Sequence, residues 1–337
     1  MTDLLSKLLS ERDWLLADGA TGTNLFAAGL EAGEAPELWN EDAPEKIRAL
    51  HDGFIEAGSD IILTNSFGGT RYRLKLHDAQ DRVYELNKRA AEIAREAADA
   101  AGRPVVVAGS MGPTGEILEP VGSLSMEDAV AAFEEQARGL LDGGVDVLWA
   151  ETISSEEEIR AAAQAAANLN APFCGTLSFD TAGRTMMGVT SSGYAALSAD
   201  LASKPLAVGA NCGVGASDLL RTVLGMSETA PEAVLIAKAN AGIPKYVEGK
   251  IEYDGTPELM AQYARLARRA GARIIGGCCG TMPKHLVAMR AALEKGDFDG
   301  RPELAEIEAS TGGFSSAGDG TGDDPTPKRE RRGRRRG

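Results

Sequence analysis

The most distinctive chemistry in this chain of 337 residues comes from four cysteines, two of which are adjacent in the stretch IIGGCCGT at 274–281. Adjacent cysteines do not readily form a disulfide with each other, because the bond would strain the intervening peptide. Two thiolates can bind one metal ion if the backbone turns sharply, and the flanking glycines permit such a turn. Burial as a small apolar side chain is, however, the commonest fate of free cysteine. The dipeptide alone therefore leaves a core role and a metal-binding role open.

The elements that must position these cysteines are eight short apolar runs, which alternate with alanine-rich stretches of helical spacing. The runs lie at 14–18, 60–64, 104–109, 145–150, 172–178, 206–211, 233–238 and 272–277. The helical stretches lie near 44–57, 79–101, 126–142, 155–169, 192–202, 216–229, 257–270 and 283–295. Eight such pairs predict an α/β fold, a (β/α)8 TIM barrel over residues 1–295 that begins with a short N-terminal helix. An open doubly wound sheet is disfavoured, because no G-x-G-x-x-G motif follows the first strand.

The segment 296–337 differs in composition from the rest of the chain. It is rich in glycine, serine, aspartate and proline, and it ends in KRERRGRRRG. A segment with so few apolar residues cannot bury enough surface to offset the entropy of ordering, so we predict a disordered tail.

Composition excludes several functional classes. The formal net charge of −15 argues against a nucleic-acid partner. No run approaches the roughly 20 apolar residues that span a bilayer, so we expect no membrane association. The few cysteines and the lack of an export signal predict a cytoplasmic protein with reduced thiols. A homo-oligomer is left open.

Three of the cysteines fall at the end of the predicted barrel where chemistry takes place. Active sites of such barrels lie at the carboxyl ends of the strands. Cys212 ends the sixth strand, and Cys278 and Cys279 end the eighth. Cys174 lies near the start of its strand and is predicted to be a core residue. Three converging thiolates favour Zn²⁺, and since no histidine stands at a strand end, we predict an open fourth position.

This ligand set also indicates the chemistry. Zinc with three thiolates carries a net charge of −1, which makes it a weak Lewis acid and a poor activator of water. A free thiol has a pKa of about 8.5, and coordination to zinc deprotonates it at neutral pH. The predicted reaction is therefore alkyl transfer to a thiol substrate.

Six motifs occur in the order DGATGTNL, GSDIILTNSFGG, GPTGE, NCGVG, NAGIPK and GGCCGT. With them the chain resembles, from about residue 12 to 295, the homocysteine S-methyltransferase family. That family includes betaine–homocysteine methyltransferases and the homocysteine-binding module of cobalamin-dependent methionine synthase. The resemblance implies a (β/α)8 barrel, zinc held by Cys212, Cys278 and Cys279, and methylation of homocysteine to methionine.

The resemblance also assigns residues to the substrate. Asp18 and Glu151 match the acidic residues that hold the α-amino group, with a purely structural role as the alternative. The other implied substrate-binding residues are Gly19 and Ala20 through their amides to the carboxylate, Ser110 through its hydroxyl, Asn211 and Asn240. A non-catalytic zinc-binding barrel is the rival function, and it would have no reason to keep the two acids beside the metal.

The methyl donor is less directly indicated. Gly68 and Thr152 replace aromatic residues of the animal betaine enzymes, and here the chain is more similar to the methionine synthase module. A sulfonium such as S-methylmethionine and a methyl-corrinoid are alternatives, but the chain lacks a D-x-H-x-x-G segment, so a corrinoid would arrive on a separate protein. We predict a small methylated cation, glycine betaine, as the donor. Such cations bind aromatic faces, and Trp39 and Tyr72 are the predicted cage, although both could simply cover the barrel rim.

Overall fold

The computed structural model describes residues 3–243, 245–247, 250–318 and 320. Its strands are β1 (Leu15–Leu16), β2 (Ile61–Leu63), β3 (Val106–Met111), β4 (Val147–Ile153), β5 (Phe173–Leu177), β6 (Ala207–Cys212), β7 (Leu235–Ala239), β8 (Lys245–Val247), β9 (Lys250–Glu252) and β10 (Ala272–Gly277). Its longer helices are α1 (Leu4–Glu11), α2 (Thr21–Ala27), α3 (Trp39–Asp42), α4 (Pro44–Glu56), α5 (Arg71–Leu74), α6 (Val83–Ala100), α7 (Met126–Asp142), α8 (Glu156–Asn168), α9 (Ser191–Leu197), α10 (Ala216–Thr229), α11 (Pro257–Arg269), α12 (Pro283–Glu294) and α13 (Leu304–Thr311).

Eight parallel strands form the barrel in the order β1-β10-β7-β6-β5-β4-β3-β2. A parallel bridge between Ala17 and Ile61 joins the chain after β1 to β2, so the two edges of the sheet meet. Every predicted run overlaps one of these strands, and every predicted helical stretch overlaps a helix. The predicted (β/α)8 barrel is confirmed, and the open sheet is excluded.

The N-terminal helix seals the barrel at the end opposite to the carboxyl ends of the strands. Its buried leucines, Leu5, Leu8 and Leu9, share one apolar cluster with inward-facing strand residues. Cys174 and Trp149 belong to the same cluster and are fully buried, which confirms the predicted core position of Cys174. The interior of the barrel is therefore filled with side chains, as is usual for this fold.

Polar side chains cap the first turns of three helices. The Ser125 side chain accepts a hydrogen bond from the Asp128 amide (3.0 Å), and the Ser155 side chain accepts one from the Glu158 amide (3.1 Å). Thr256 caps α11 in the same way. Each cap satisfies an amide that the first helical turn leaves unpaired.

The prediction of disorder for 296–337 is wrong for the part that the structure describes. Helix α13 buries Ile307, and the chain after it passes along α10. The Ser217 hydroxyl donates to the Gly312 carbonyl (2.6 Å), and the Arg221 guanidinium lies 4.6 Å from the centre of the Phe314 ring. One buried isoleucine and one stacked aromatic anchor a segment of low overall hydropathy. The KRERRGRRRG end lies outside the described residues.

No helix among the described residues is both long enough and apolar enough to cross a bilayer.

Candidate metal and substrate site

Three thiols meet at the carboxyl end of the barrel. Cys212 is the last residue of β6, and Cys278 and Cys279 directly follow β10. The Sγ atoms of Cys212 and Cys279 are 3.9 Å apart, and all three Sγ atoms lie within 4.8 Å of one another. Tetrahedral zinc with Zn–S bonds of about 2.3 Å needs sulfur atoms roughly 3.8 Å apart. The three cysteines therefore fit the predicted ion, and they are the cluster of metal-binding side chains found among the described residues.

Main-chain hydrogen bonds fix the two adjacent cysteines against β7 and the loop that follows it. The Cys278 amide donates to the Ala239 carbonyl (2.7 Å), and the Cys279 carbonyl accepts from the Ala241 amide (2.8 Å). A Cβ at Gly277 would lie 2.2 Å from a threonine hydroxyl, so only glycine fits there. The glycines around the cysteine pair thus serve the turn that the sequence suggests.

The thiols interact strongly with one another. Hydrogen bonds from Cys212 and Cys278 lower the pKa of Cys279, and a hydrogen bond from Tyr253 acts in the same direction. The cluster therefore holds a negative charge near Cys279, which suits a cation at this end of the barrel.

Tyr253 is a neighbour of the thiols that the sequence analysis missed. It follows the β8–β9 hairpin, and its Cβ packs where a Cβ on Gly280 would come within 2.4 Å. Burial raises the pKa of Tyr253, and the negative charge of Cys279 raises it further, so the phenol stays protonated and donates. No motif surrounds this tyrosine in the sequence, and its position after the hairpin brings it to the clustered thiols.

The two predicted acids lie at the same end of the barrel as the thiols. Asp18 is buried: its Oδ2 accepts from the Leu63 amide (2.7 Å), and its Oδ1 pairs with Lys238 Nζ (2.7 Å). Glu151 keeps some exposure, and its Oε1 accepts from the Ser110 hydroxyl (2.5 Å). Burial raises the pKa of Glu151 to about 7, against the opposing effect of Lys238. Burial also raises the pKa of Asp18, while Lys238 again opposes the rise.

Asn211 forms hydrogen bonds with residues of β4 and β5 and lies next to one of the thiols. Its Oδ1 accepts from the Thr152 amide (2.8 Å) and the Thr176 hydroxyl (2.7 Å), and its Nδ2 donates to the Thr152 hydroxyl (2.7 Å). The same Nδ2 lies 3.8 Å from Cys278 Sγ. Thr152 and Cys212 both adopt left-handed backbone conformations, with φ of 61° and 60°. Asn211 therefore orients the residues that follow Glu151 and lies next to one of the three clustered thiols.

Asn240 lies next to the cysteine loops. Its Nδ2 donates to the Gly213 carbonyl (2.9 Å), one residue after Cys212. Its Oδ1 is buried, and within the described part of the chain it accepts no hydrogen bond. This amide oxygen is available to a donor on the substrate.

The loop after β1 differs from the prediction at one residue. The Ala20 amide, which the resemblance assigns to the substrate carboxylate, donates instead to the Thr281 carbonyl (3.1 Å). A Cβ at Gly19 would lie 2.6 Å from the same carbonyl oxygen, so glycine is required for the two loops to approach. The Ala20 amide is thus engaged within the protein.

The predicted aromatic cage is not formed. Trp39 packs with Leu25, Leu30 and Ile47 in a small apolar cluster, and Lys46 Nζ lies 4.1 Å from the centre of its ring. Tyr72 packs separately, against the main outer core of the barrel. The two rings belong to different clusters, and the face of Trp39 already carries a cation.

Comparison with known proteins adds independent findings. Residues 15–293 match the family model described as homocysteine S-methyltransferase. The methionine synthase of Mycobacterium tuberculosis is 33% identical over an alignment of 311 positions that covers 87% of this chain; the chain spans 25% of that protein's length. The metallated form of the homocysteine methyltransferase MmuM from Escherichia coli is 28% identical with a TM-score of 0.71, covering 86% of this chain and 99% of that one. A methyltransferase from Methanosarcina mazei, 14% identical with a TM-score of 0.54 over 88% of this chain and 99% of its own, shares the fold.

Proposed function

The chain belongs to the homocysteine S-methyltransferase family, and we propose that it transfers a methyl group to the thiol of homocysteine in a zinc-dependent reaction that yields methionine. The observation that carries this proposal is the convergence of two sites at one end of the barrel. Three thiols within 4.8 Å of one another lie beside a charged cluster made of Asp18, Glu151 and Lys238. A substrate that combines a thiol with an amino-acid head group matches both the three cysteines and the charged cluster.

The three cysteines would hold zinc, which when bound supplies a Lewis acid that lowers the pKa of a substrate thiol to below neutrality. Asn211 keeps Cys278 in place, and Tyr253 donates to Cys279. Glu151, oriented by Ser110, supplies negative charge for the substrate ammonium, while Asp18 is paired with Lys238. Fixing the head group in this way aims the sulfur at the donor and reduces the entropy cost of the two-substrate reaction.

In the chemical step the substrate sulfur forms a bond to the methyl carbon as the bond from that carbon to the donor breaks. The donor leaves with the electron pair, as a neutral amine or thioether, and the thiol proton has already been released to solvent. No group of the protein needs to exchange a proton with the donor. We therefore assign the protein a binding and orienting role in this step.

We propose a small methylated cation, glycine betaine first, as the donor. The negative thiol cluster and the phenol of Tyr253 next to Cys279 are the features that favour a cation close to the acceptor sulfur. The Trp39–Tyr72 cage no longer supports this choice. A sulfonium donor satisfies the same electrostatics, and a methyl-corrinoid on a separate protein is the third candidate, in keeping with the similarity to a much longer methionine synthase.

The test is methionine formation by the purified, zinc-loaded protein with homocysteine and each donor supplied in parallel. Turnover with betaine supports the full proposal, whereas turnover only with the sulfonium or the methyl-corrinoid protein replaces the donor and keeps the acceptor. Absence of turnover with all three donors would favour the non-catalytic zinc-binding barrel. We propose a cytoplasmic location, since the reduced thiols that this chemistry needs persist there.

A further inference from the structure

Lys238 is a buried cation that none of the assigned roles uses. It lies on β7, in register with Asn211 on β6 and Gly276 on β10, and its side chain is 2% exposed. Its Nζ is 2.7 Å from Asp18 Oδ1 and 5.9 Å from the centre of the Trp149 ring. The ammonium thus lies above the packed interior of the barrel, at the floor of the site that holds the thiols.

The hydrogen bonds of this ammonium are incomplete. A lysine ammonium has three N–H donors, and among the described residues Asp18 Oδ1 is the acceptor that it reaches. Buried charges are costly unless they are paired and their remaining hydrogen bonds are made. An anionic group of the substrate would supply the missing acceptors at the place where the substrate enters.

The acidic side chains near Lys238 make different contacts. Asp18 is compensated by Lys238 within the protein and is further held by the Leu63 amide, so its position is set before the substrate binds. Glu151 feels the charge of Lys238, but its hydrogen bond comes from the neutral Ser110 hydroxyl, so it can still receive the substrate ammonium. The Ala20 amide, the donor expected for the carboxylate, is bonded to Thr281.

We propose that Lys238 binds the α-carboxylate of an amino-acid thiol substrate. Asp18 positions the ammonium of Lys238 for this contact. This inference rests on the proposed function and specifies its substrate class. The site would select zwitterionic thiols, because Glu151 and Lys238 contact opposite charges of one head group. Thiols that carry an amine without a carboxylate would bind poorly.

The test measures how far removal of the carboxylate weakens binding in two forms of the protein. Calorimetry gives the dissociation constants of homocysteine, of 3-aminopropane-1-thiol, which lacks the carboxylate, and of 4-sulfanylbutanoate, which lacks the amine. Zinc-loaded wild-type protein is compared with Lys238→Met, which keeps most of the length of the side chain without its charge. Lys204→Gln, at an exposed lysine in the loop before β6, is the matched control.

In the wild type and in the control, loss of the carboxylate should weaken binding by about 10- to 100-fold, as expected for a charge-assisted contact. In Lys238→Met, loss of the carboxylate should raise the dissociation constant by less than about threefold. If Lys238→Met still prefers homocysteine over the thiol without a carboxylate as strongly as the wild type does, the inference is overturned and the proposed function stands. A wild type that binds none of the three thiols would overturn the proposed function, and this inference with it.

A second measurement needs no variant and so does not depend on how well Lys238→Met folds. In a crystal structure of the wild type with zinc and homocysteine, a carboxylate oxygen should lie within about 3 Å of Lys238 Nζ, the usual length of such a contact. A carboxylate bound elsewhere, with Nζ still paired only with Asp18, would refute the assignment.

Discussion

Replacing Glu151 with glutamine should weaken homocysteine binding without removing zinc. Glutamine keeps the size of the side chain and loses the charge that we assign to the substrate ammonium. A charge-assisted hydrogen bond is worth about 1.5–3 kcal/mol, which corresponds to roughly a 10- to 150-fold higher dissociation constant. The group that could hold the metal consists of three cysteines and does not include Glu151, so zinc content should be unchanged.

The pKa of Glu151 makes the predicted difference in homocysteine affinity depend on pH. Because burial raises that pKa to about 7, about 90% of the side chains are ionised near pH 8 and about 10% near pH 6. The advantage of the wild type over Glu151→Gln should therefore shrink by nearly tenfold between these two values. Ionisation of the substrate thiol also depends on pH, but it affects both proteins equally and cancels in the ratio.

The assay is calorimetric titration of homocysteine at both pH values, with metal analysis of every sample. Glu96→Gln, at an exposed position on α6, is the matched control and should behave as the wild type. A ratio that does not change with pH would refute the assignment of Glu151 to the ammonium. Loss of zinc in Glu151→Gln would show that the carboxylate supports the metal centre itself.

Further predictions concern the metal, the tail and a buried histidine. Cys278→Ala should lose zinc and activity together, whereas Cys174→Ala should keep both; full zinc in Cys278→Ala, measured by metal analysis, would remove the ligand assignment. Truncation after residue 296 should leave homocysteine affinity unchanged but lower the free energy of unfolding by about 2 kcal/mol, since it exposes surface now covered by Ile307; an unaltered urea midpoint would contradict this. His51 is fully buried with no hydrogen-bond partner at either ring nitrogen among the described residues, and burial lowers its pKa to about 4. Because the folded state resists protonation, stability should fall as pH drops from about 6.5 towards 4, by about 2 kcal/mol between pH 7 and pH 5. His51→Leu should abolish that part of the acid sensitivity, which urea unfolding at the two pH values would measure.

The fold could be read from the sequence because its signals are strong and local. Eight apolar runs alternate with amphipathic stretches, and the barrel rule places the ends of the strands at one rim. Cys212, Cys278 and Cys279 could be grouped for the same reason, since each ends or directly follows a strand. Cys174 could be separated from them because it lies at the start of β5.

The residues that the sequence did not reveal depend on contacts between distant segments. A lysine at the end of a strand has no distinctive pattern, so Lys238 became evident only when Asp18, more than two hundred residues away, was found 2.7 Å from it. Tyr253 reaches Cys279 through a hairpin with no recognisable motif. Trp39 was wrongly assigned because its position after the first strand does not say which way its ring packs.

The left-handed conformations of Thr152 and Cys212 mean that stability and activity make opposite demands on these two positions. A non-glycine residue with positive φ costs about 1–3 kcal/mol, and a β-branched threonine is among the least tolerant. Glycine at either position would relax the backbone and make the metal-free barrel more robust. It would also remove one of the three clustered thiols at one position and the hydroxyl bonded to Asn211 at the other. A laboratory selection for heat resistance alone would therefore tend to erode the catalytic rim, and only a simultaneous requirement for methionine formation would preserve it.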